Sequence, residues 1–204
     1  MSMVDDKIKQ KKKLKEAEEF YQKGLVYAQD SDADGAIECW QKTVELNPNH
    51  FEGWFNLGNV YEEGKGDFKV ALECWDKALE IKPNNVDVLY NMANTYREHK
   101  DYDKAIEIYK TVVELSPEDH EAWNNMANAY GGKGEFDKAI ECWKKALVIK
   151  PNKYETWYNL GIEYKKLGEF DLAIECCKKI QEKYPDSHNV KRLLNAIIEE
   201  KERT

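Results

Sequence analysis

The sequence is short of the features that mark a membrane protein, a metalloprotein or an enzyme. No apolar run approaches the roughly 20 residues needed to cross a bilayer. The opening MSMVDDKIKQKKKLK has no apolar core of a signal peptide. These absences predict no membrane contact and a cytosolic protein, or a nuclear one if the lysines act as an import signal. No Cys-x-x-Cys pair occurs, and His50, His99, His120 and His188 never fall at ligand spacing with a cysteine or one another, so neither a metal nor another cofactor is expected. The serines, at 2, 31, 116 and 187, sit in no Gly-x-Ser-x-Gly or Ser-x-x-Lys setting. The segments GKG at 64 and GGKG at 131 do not continue into Gly-Lys-Ser/Thr, and read as hairpin turns rather than phosphate loops. Carboxylates are abundant but scattered. No catalytic constellation emerges, which predicts a protein that is not an enzyme.

What is present is charge, aromatic residues and periodicity. Of 204 residues 42% are hydrophobic and 34% charged, with a net charge of -8. Residues 1 to 16 hold six lysines against Asp5, Asp6 and Glu16, so this stretch carries +3 while the body carries -11. So acidic a body argues against a nucleic-acid partner, whose phosphates need clustered Lys and Arg, and favours basic or neutral peptides. The run KIKQKKKLK at 7 to 15 reads as a solvated helical lead-in, with a nuclear-localisation or anionic-surface role as the alternative.

Proline is scarce, and its five occurrences are regular. Pro48, Pro83, Pro117, Pro151 and Pro185 are spaced by 35, 34, 34 and 34 residues. They set windows of 17 to 50, 51 to 85, 86 to 119, 120 to 153 and 154 to 187. AIECWQKTVELNP at 36, ALECWDKALEIKP at 71 and AIECWKKALVIKP at 139 show the self-similarity directly. Within a window, large apolar residues recur at helical spacing, as in Trp123, Met126, Ala127 and Tyr130. A break follows, and the pattern resumes with Ala139, Trp143 and Ala146. Each window therefore predicts a helical hairpin, and the fold class is all-α.

WFNLGNVY at 54 to 61, followed by Ala71, Trp75, Ala78 and Pro83, resembles the tetratricopeptide repeat, as does WYNLGIEY at 157. The resemblance covers residues 17 to 187. It implies a right-handed α-solenoid, a superhelix of stacked antiparallel hairpins with each first helix on the concave face. Lys23, Leu89 and Cys177 depart from the family pattern, and the second repeat has one extra residue in its EEGKGDF turn. In residues 188 to 204, Val190, Leu193, Leu194, Ile197 and Ile198 fall on one helical stripe, which predicts a solvating helix that ends the array.

All six tryptophans occupy two places in the repeat and read as core. Cys39, Cys74, Cys142 and Cys176 recur at one place, and Cys177 lies beside the last. Helices pack about 8 to 10 Å apart, too far for a disulfide, which predicts structural thiols and a reducing compartment.

Function is then expected on first-helix residues not used by the core. The sixth residue of each window is Gln22, Asn56, Asn91, Asn125 or Asn159, and the ninth is Leu25, Asn59, Asn94, Asn128 or Ile162. An amide donates and accepts at once, so these ladders could hold the backbone of an extended peptide. Similar ladders hold peptides in the repeat domain of O-linked N-acetylglucosamine transferases. The other reading is that the amides serve contacts between neighbouring helices. Second positions are acidic, at Glu18, Glu52, Asp87, Glu121 and Glu155, where the helix dipole also favours a carboxylate. Tyr21, Phe55, Tyr90 and Tyr158 make an aromatic line interrupted at Asn124, where Gly131 and Gly132 predict the roomiest part of the groove. The clamp that family members use for acidic Hsp70 and Hsp90 tails is missing, leaving Arg97, Lys165 and Lys166 for weaker anion contacts. A partner protein bound through an extended neutral or basic peptide is the expected ligand. A self-associating module and a substrate-selecting piece of a larger assembly, such as a glycosyltransferase, remain open at this point.

Overall fold

The computed structural model describes residues 3 to 203, and among them the regular structure is helical. The helices are α1 (Met3–Gln29), α2 (Ala33–Leu46), α3 (Phe51–Asn59), α4 (Phe68–Ile81), α5 (Val86–Glu98), α6 (Tyr102–Leu115), α7 (His120–Lys133), α8 (Phe136–Ile149), α9 (Tyr154–Lys166), α10 (Phe170–Gln181) and α11 (His188–Lys201). They divide into two compact units, up to Val88 and from Leu89 onward. In the first, α1 packs on α2, α2 on α3 and α3 on α4. In the second, neighbours from α6 to α11 pack in chain order.

Every hairpin turns by the same device. Ser31, Gly66, Lys100, Gly134 and Gly168 all have positive φ. The following residue reaches back five places, as Asp32 N–H does to the Tyr27 carbonyl at 2.8 Å and Glu135 N–H to the Tyr130 carbonyl at 2.9 Å. Such a left-handed residue with a six-residue bond satisfies the last carbonyls of a helix and stops it. The second helices α2, α4 and α6 begin on side-chain caps: Asp32, Asp67 and Asp101 accept from the N–H groups of Gly35, Val70 and Lys104, whereas Glu135 and Glu169 open α8 and α10 without one. The extra residue of the second repeat is absorbed just before its turn, where Val60–Gly64 winds as one π-helical turn at the end of α3.

Alanines 36, 71, 105, 139 and 173 are fully buried at the same place in each second helix, where a small side chain lets helices approach. The large neighbours Trp40, Trp75, Tyr109 and Trp143 are buried as expected. The first-helix tryptophans are not. Trp54, Trp123 and Trp157 are half-buried, with Nε1 donating to the carbonyls of Pro48, Pro117 and Pro151 at 2.9, 2.9 and 2.7 Å. They pin the proline turn ahead of their own helix rather than filling the core.

Gly131 and Gly132 also depart from expectation, since both lie within α7 and Gly134 makes the turn. A Cβ on Gly132 would stand 2.5 Å from the Tyr102 ring, and one on Gly131 would meet Trp143. The space at Gly132 is taken by the Tyr102 ring, whereas the Cβ on Gly131 would stand at an ordinary 3.6 Å from Trp143. All five cysteines are buried and free, and burial pushes the thiols of Cys74 and Cys176 up to about 12. The lysine run continues α1 as solvent-exposed helix, and α11 buries Val190, Leu193 and Ile197 while Leu194 is half-buried and Ile198 is exposed.

Candidate functional site

The asparagines of the second unit form a relay. Asn94 Oδ1 accepts from the Tyr109 hydroxyl on α6 and from Asn125 Nδ2 on α7, the latter at 3.0 Å. One repeat on, Asn128 Oδ1 accepts from Trp143 Nε1 at 3.3 Å and from Asn159 Nδ2 at 3.1 Å. The rule is simple. A ninth-position oxygen takes one bond from the large residue of its own second helix and one from the sixth-position amide of the next repeat. Asn125 Nδ2 donates a second bond to the Tyr90 hydroxyl, at 2.8 Å. Desolvation by burial pushes Tyr90 above the usual phenol value, so it stays neutral.

In the first unit Asn59 Oδ1 accepts from Trp75 Nε1 at 3.2 Å. Leu25 fills the corresponding place a repeat earlier, so Trp40 Nε1 turns to the Tyr21 carbonyl at 3.3 Å. Asn56 Nδ2 meets the Tyr21 hydroxyl at 3.4 Å. Beside Leu25, Trp40, Asn56 and Asn59 the surface opens into a cleft of about 530 Å³. Asn91 is half-buried on α5.

Asn124, the exception in the aromatic line, has a partner that the sequence did not announce. Fully buried Thr156 on α9 donates to Asn124 Oδ1 at 3.0 Å, and Asn124 Nδ2 donates to Asn125 Oδ1 at 3.4 Å. Thr156 occupies a place held by Gly53, Val88 and Ala122 in the preceding repeats. The two exceptions sit opposite one another, a signal visible only when one repeat is aligned against the next.

The aromatic line is half-buried. Phe55 stacks on Phe51 at 6.0 Å between centroids and Tyr158 on Tyr154 at 5.9 Å, each one helical turn apart. Glu52 and Glu121 pair with Lys82 and Lys153, both at 3.1 Å, while Asp87 and Glu155 are exposed, the latter 3.8 Å from Lys153. His50 accepts the Gly53 N–H at Nδ1, which leaves Nε2 to face Glu18 at 3.4 Å. The basic first-helix residues are committed elsewhere: Arg97 to Glu98 at 3.2 Å, Lys165 to Glu200 at 2.5 Å, and Lys166 to Glu163 at 3.1 Å. Glu163 itself is buried, with Oε1 lacking a partner, where the earlier repeats carry Val26, Val60, Thr95 and Ala129.

The amides are therefore half used. The oxygens of Asn94 and Asn128 are each taken twice by the protein. The Asn128 Nδ2 donates to no acceptor among the described residues and solvent reaches it, whereas the Asn94 Nδ2 spends one hydrogen on the Tyr90 hydroxyl. What remains is the N–H₂ of Asn128 and the second N–H of Asn94 beside half-buried aromatics, able to meet carbonyl oxygens but not N–H groups. Among the described residues no cluster of three metal-ligating side chains occurs, and no helix is long and apolar enough to cross a membrane.

Comparison with known proteins places these features. The family described as the cytochrome c-type biogenesis protein H TPR domain matches residues 42–153, more than half of the chain, and the tetratricopeptide repeat itself matches residues 154–187. An uncharacterized protein of Methanocaldococcus jannaschii is 40% identical over 43 residues, which are 21% of this chain and 50% of that relative. The match thus spans half the length of that curated protein. A crystal structure of MamA is similar at a TM-score of 0.76 with 26% identity, covering 81% of this chain and 96% of that one. A tetratricopeptide repeat protein from Parabacteroides merdae superposes at 0.80 over 90% of this chain and 72% of its own, and at 20% identity the likeness is one of fold.

Proposed function

The chain belongs to the tetratricopeptide repeat family, and from that premise we propose a non-catalytic scaffold that binds an extended peptide segment of a partner protein in its concave groove. Scaffolding of protein–protein contacts is the general role that the fold supports. The observation that carries the finer reading is the spare donor capacity of the amides, the whole N–H₂ of Asn128 and one N–H of Asn94. A stretched peptide offers carbonyls along its length at about 3.3 Å per residue. First helices one repeat apart, roughly 10 Å, would take about every third of them. Tyr90 and Tyr158 flank these donors with faces on which peptide side chains can rest. The paired acid Glu121 and exposed Glu155 bias the groove of the second unit toward neutral or basic segments and against acidic chaperone tails.

Asn94→Asp with Asn128→Asp tests this directly. Aspartate keeps the oxygen that the scaffold needs and removes the N–H₂ that a peptide would use. On an array of uncharged peptides, binding should fall at least about tenfold, the loss of one or two hydrogen bonds, while the melting temperature holds. Undiminished binding with intact melting overturns the assignment.

A further inference from the structure

A second groove lies on the first unit, outside the amide relay, between α2 and α4 and floored by α3. It measures about 810 Å³. Its floor is apolar, with Val44, Leu57, Val70 and the half-buried ring of Trp54. Its rim is acidic, with Glu45, Glu73, Asp76 and Glu80 against Lys77, and with Lys42 just outside it 2.9 Å from Glu45. Lys77 is drawn to Glu80 at 2.7 Å, whereas Lys145, at the same place in the fourth repeat, lies 4.3 Å over the Trp123 ring. The acids crowd: partial desolvation and then the charges of Glu80 and Glu73 raise the Asp76 carboxyl above the usual carboxylate value.

The molecule contains its own control. The second unit has a groove at the matching place, lined by Lys144, Leu147, Val148, Trp157, Leu160 and Leu172 among others. There Gln41 is replaced by Lys144 and Glu45 by Val148, and the place of Asp76 is held by Lys178. The floor repeats in a smaller groove of about 510 Å³, where Glu175 and Glu182 keep the acids of Glu73 and Glu80. The full set of four acids is thus particular to one copy of the groove.

The chain also carries a surface that fits. Residues 7 to 15 of α1, KIKQKKKLK, hold six lysines and no acid, and residues 5 to 16 are exposed. Ile8 is 62% exposed and Leu14 41%. Lys11, Lys12 and Lys13 meet no carboxylate within ion-pair distance among the described residues. Nine helical residues are roughly 14 Å long, and the rim along α4 from Val70 to Glu80 is roughly 15 Å. We propose that the lysine-bearing start of α1 from a second copy of this chain docks in the acidic groove between α2 and α4. Ile8 would rest on the apolar floor and the lysines would face Glu45, Glu73 and Asp76, with Trp54 offering a further cation site. Donor and acceptor surfaces differ, so the contact is head-to-tail and propagates into chains unless its rotation closes. It is independent of the peptide groove proposed above.

Sedimentation velocity of the full chain at about 50 mM salt, where exposed charges act over roughly 14 Å or less, provides the test. The unaltered protein should form oligomers that dissociate on dilution, with the dissociation constant rising at least about tenfold in about 0.5 M salt. Two variants should each stay monomeric: K11E/K12E/K13E, which reverses the helix, and E45V/D76K, which installs the residues of the second unit's groove. Mixed in equal amounts they should form heterodimers and nothing larger, because one retains only the groove and the other only the helix. A wild-type protein monomeric at every concentration overturns the proposal. So does assembly by either variant alone to the wild-type extent, or a mixture that stays monomeric. Circular dichroism of each variant establishes that it is folded, and because the variant residues Val and Lys already stand at these places in the second unit, E45V/D76K is not expected to lose the fold.

Discussion

The two units build their first helices from the same repeat and treat its polar residues differently. In the second unit the ninth-position oxygens of Asn94 and Asn128 each hold two donors, one from their own hairpin and one from the next. In the first, Leu25 supplies no oxygen, Trp40 falls back on a backbone carbonyl, and a cleft opens beside it. A buried indole N–H has to find an acceptor, and the backbone is the reserve when the amide is lost. The fifth repeat shows the complement. Cys177 stands in place of the large donor, and Ile162 stands in place of the amide that would have received its bond. Donor and acceptor disappear together, as the cost of an orphaned buried polar group requires.

Asn128→Leu should make the second unit copy the weakness of the first, and is the largest effect expected. It leaves the Nε1 of Trp143, a residue only 3% exposed, without its acceptor and removes the bond from Asn159. The loss should be about 2 kcal/mol by urea unfolding. Asn128→Asp keeps both bonds and should lose far less. Equal losses for the two would mean that the amide oxygen is not what holds the second unit together.

Thr156→Val probes the addition that only the second unit carries. Valine keeps the shape of a fully buried threonine, so no cavity complicates the reading, but Asn124 Oδ1 loses its donor. The cost should be about 1 kcal/mol, and a double-mutant cycle with Asn124→Ala should recover most of it as coupling. Additive losses would show that the two residues are exceptional for separate reasons.

The helical hairpins were legible because proline spacing and alanine periodicity report chain geometry, which every repeat must satisfy. The side chains around them were less so. Trp54, Trp123 and Trp157 share a residue type with Trp40, Trp75 and Trp143, yet they pin turns at the surface, since indole has both an apolar body and a donor. Gly131 and Gly132 resemble turn glycines, but α7 continues through both, and at Gly132 it is the Tyr102 ring that needs the space. The double use of Asn94 and Asn128 was foreshadowed by the fifth repeat alone, where Ile162 for Asn appears together with Cys177 for the large residue. Composition and spacing within one repeat do not show it.

The smallest effect concerns what the two units share. Glu121 is held below the usual carboxylate value by its hydrogen bond to Lys153, with the Lys153 charge adding to it against partial desolvation. As pH falls the unfolded chain takes up the proton first. The contribution is therefore complete above the unfolded value near 4.5 and is lost as pH falls through the lower folded one. Both partners are partly exposed to solvent, so it amounts to about 0.5 kcal/mol or less. Lys153→Met should flatten that part of the acid limb of a stability–pH curve. Glu52–Lys82 repeats the pair in the first unit at the same 3.1 Å, but Lys82 also stands 3.9 Å over the Phe51 ring. Lys82→Met should flatten the acid limb less, because a backbone N–H also holds the Glu52 carboxylate, and cost a few tenths of a kcal/mol more at neutral pH, where the ring contact is lost as well. An identical cost for the two lysines at neutral pH would show that the aromatic contact contributes nothing, and that at this position the units are interchangeable.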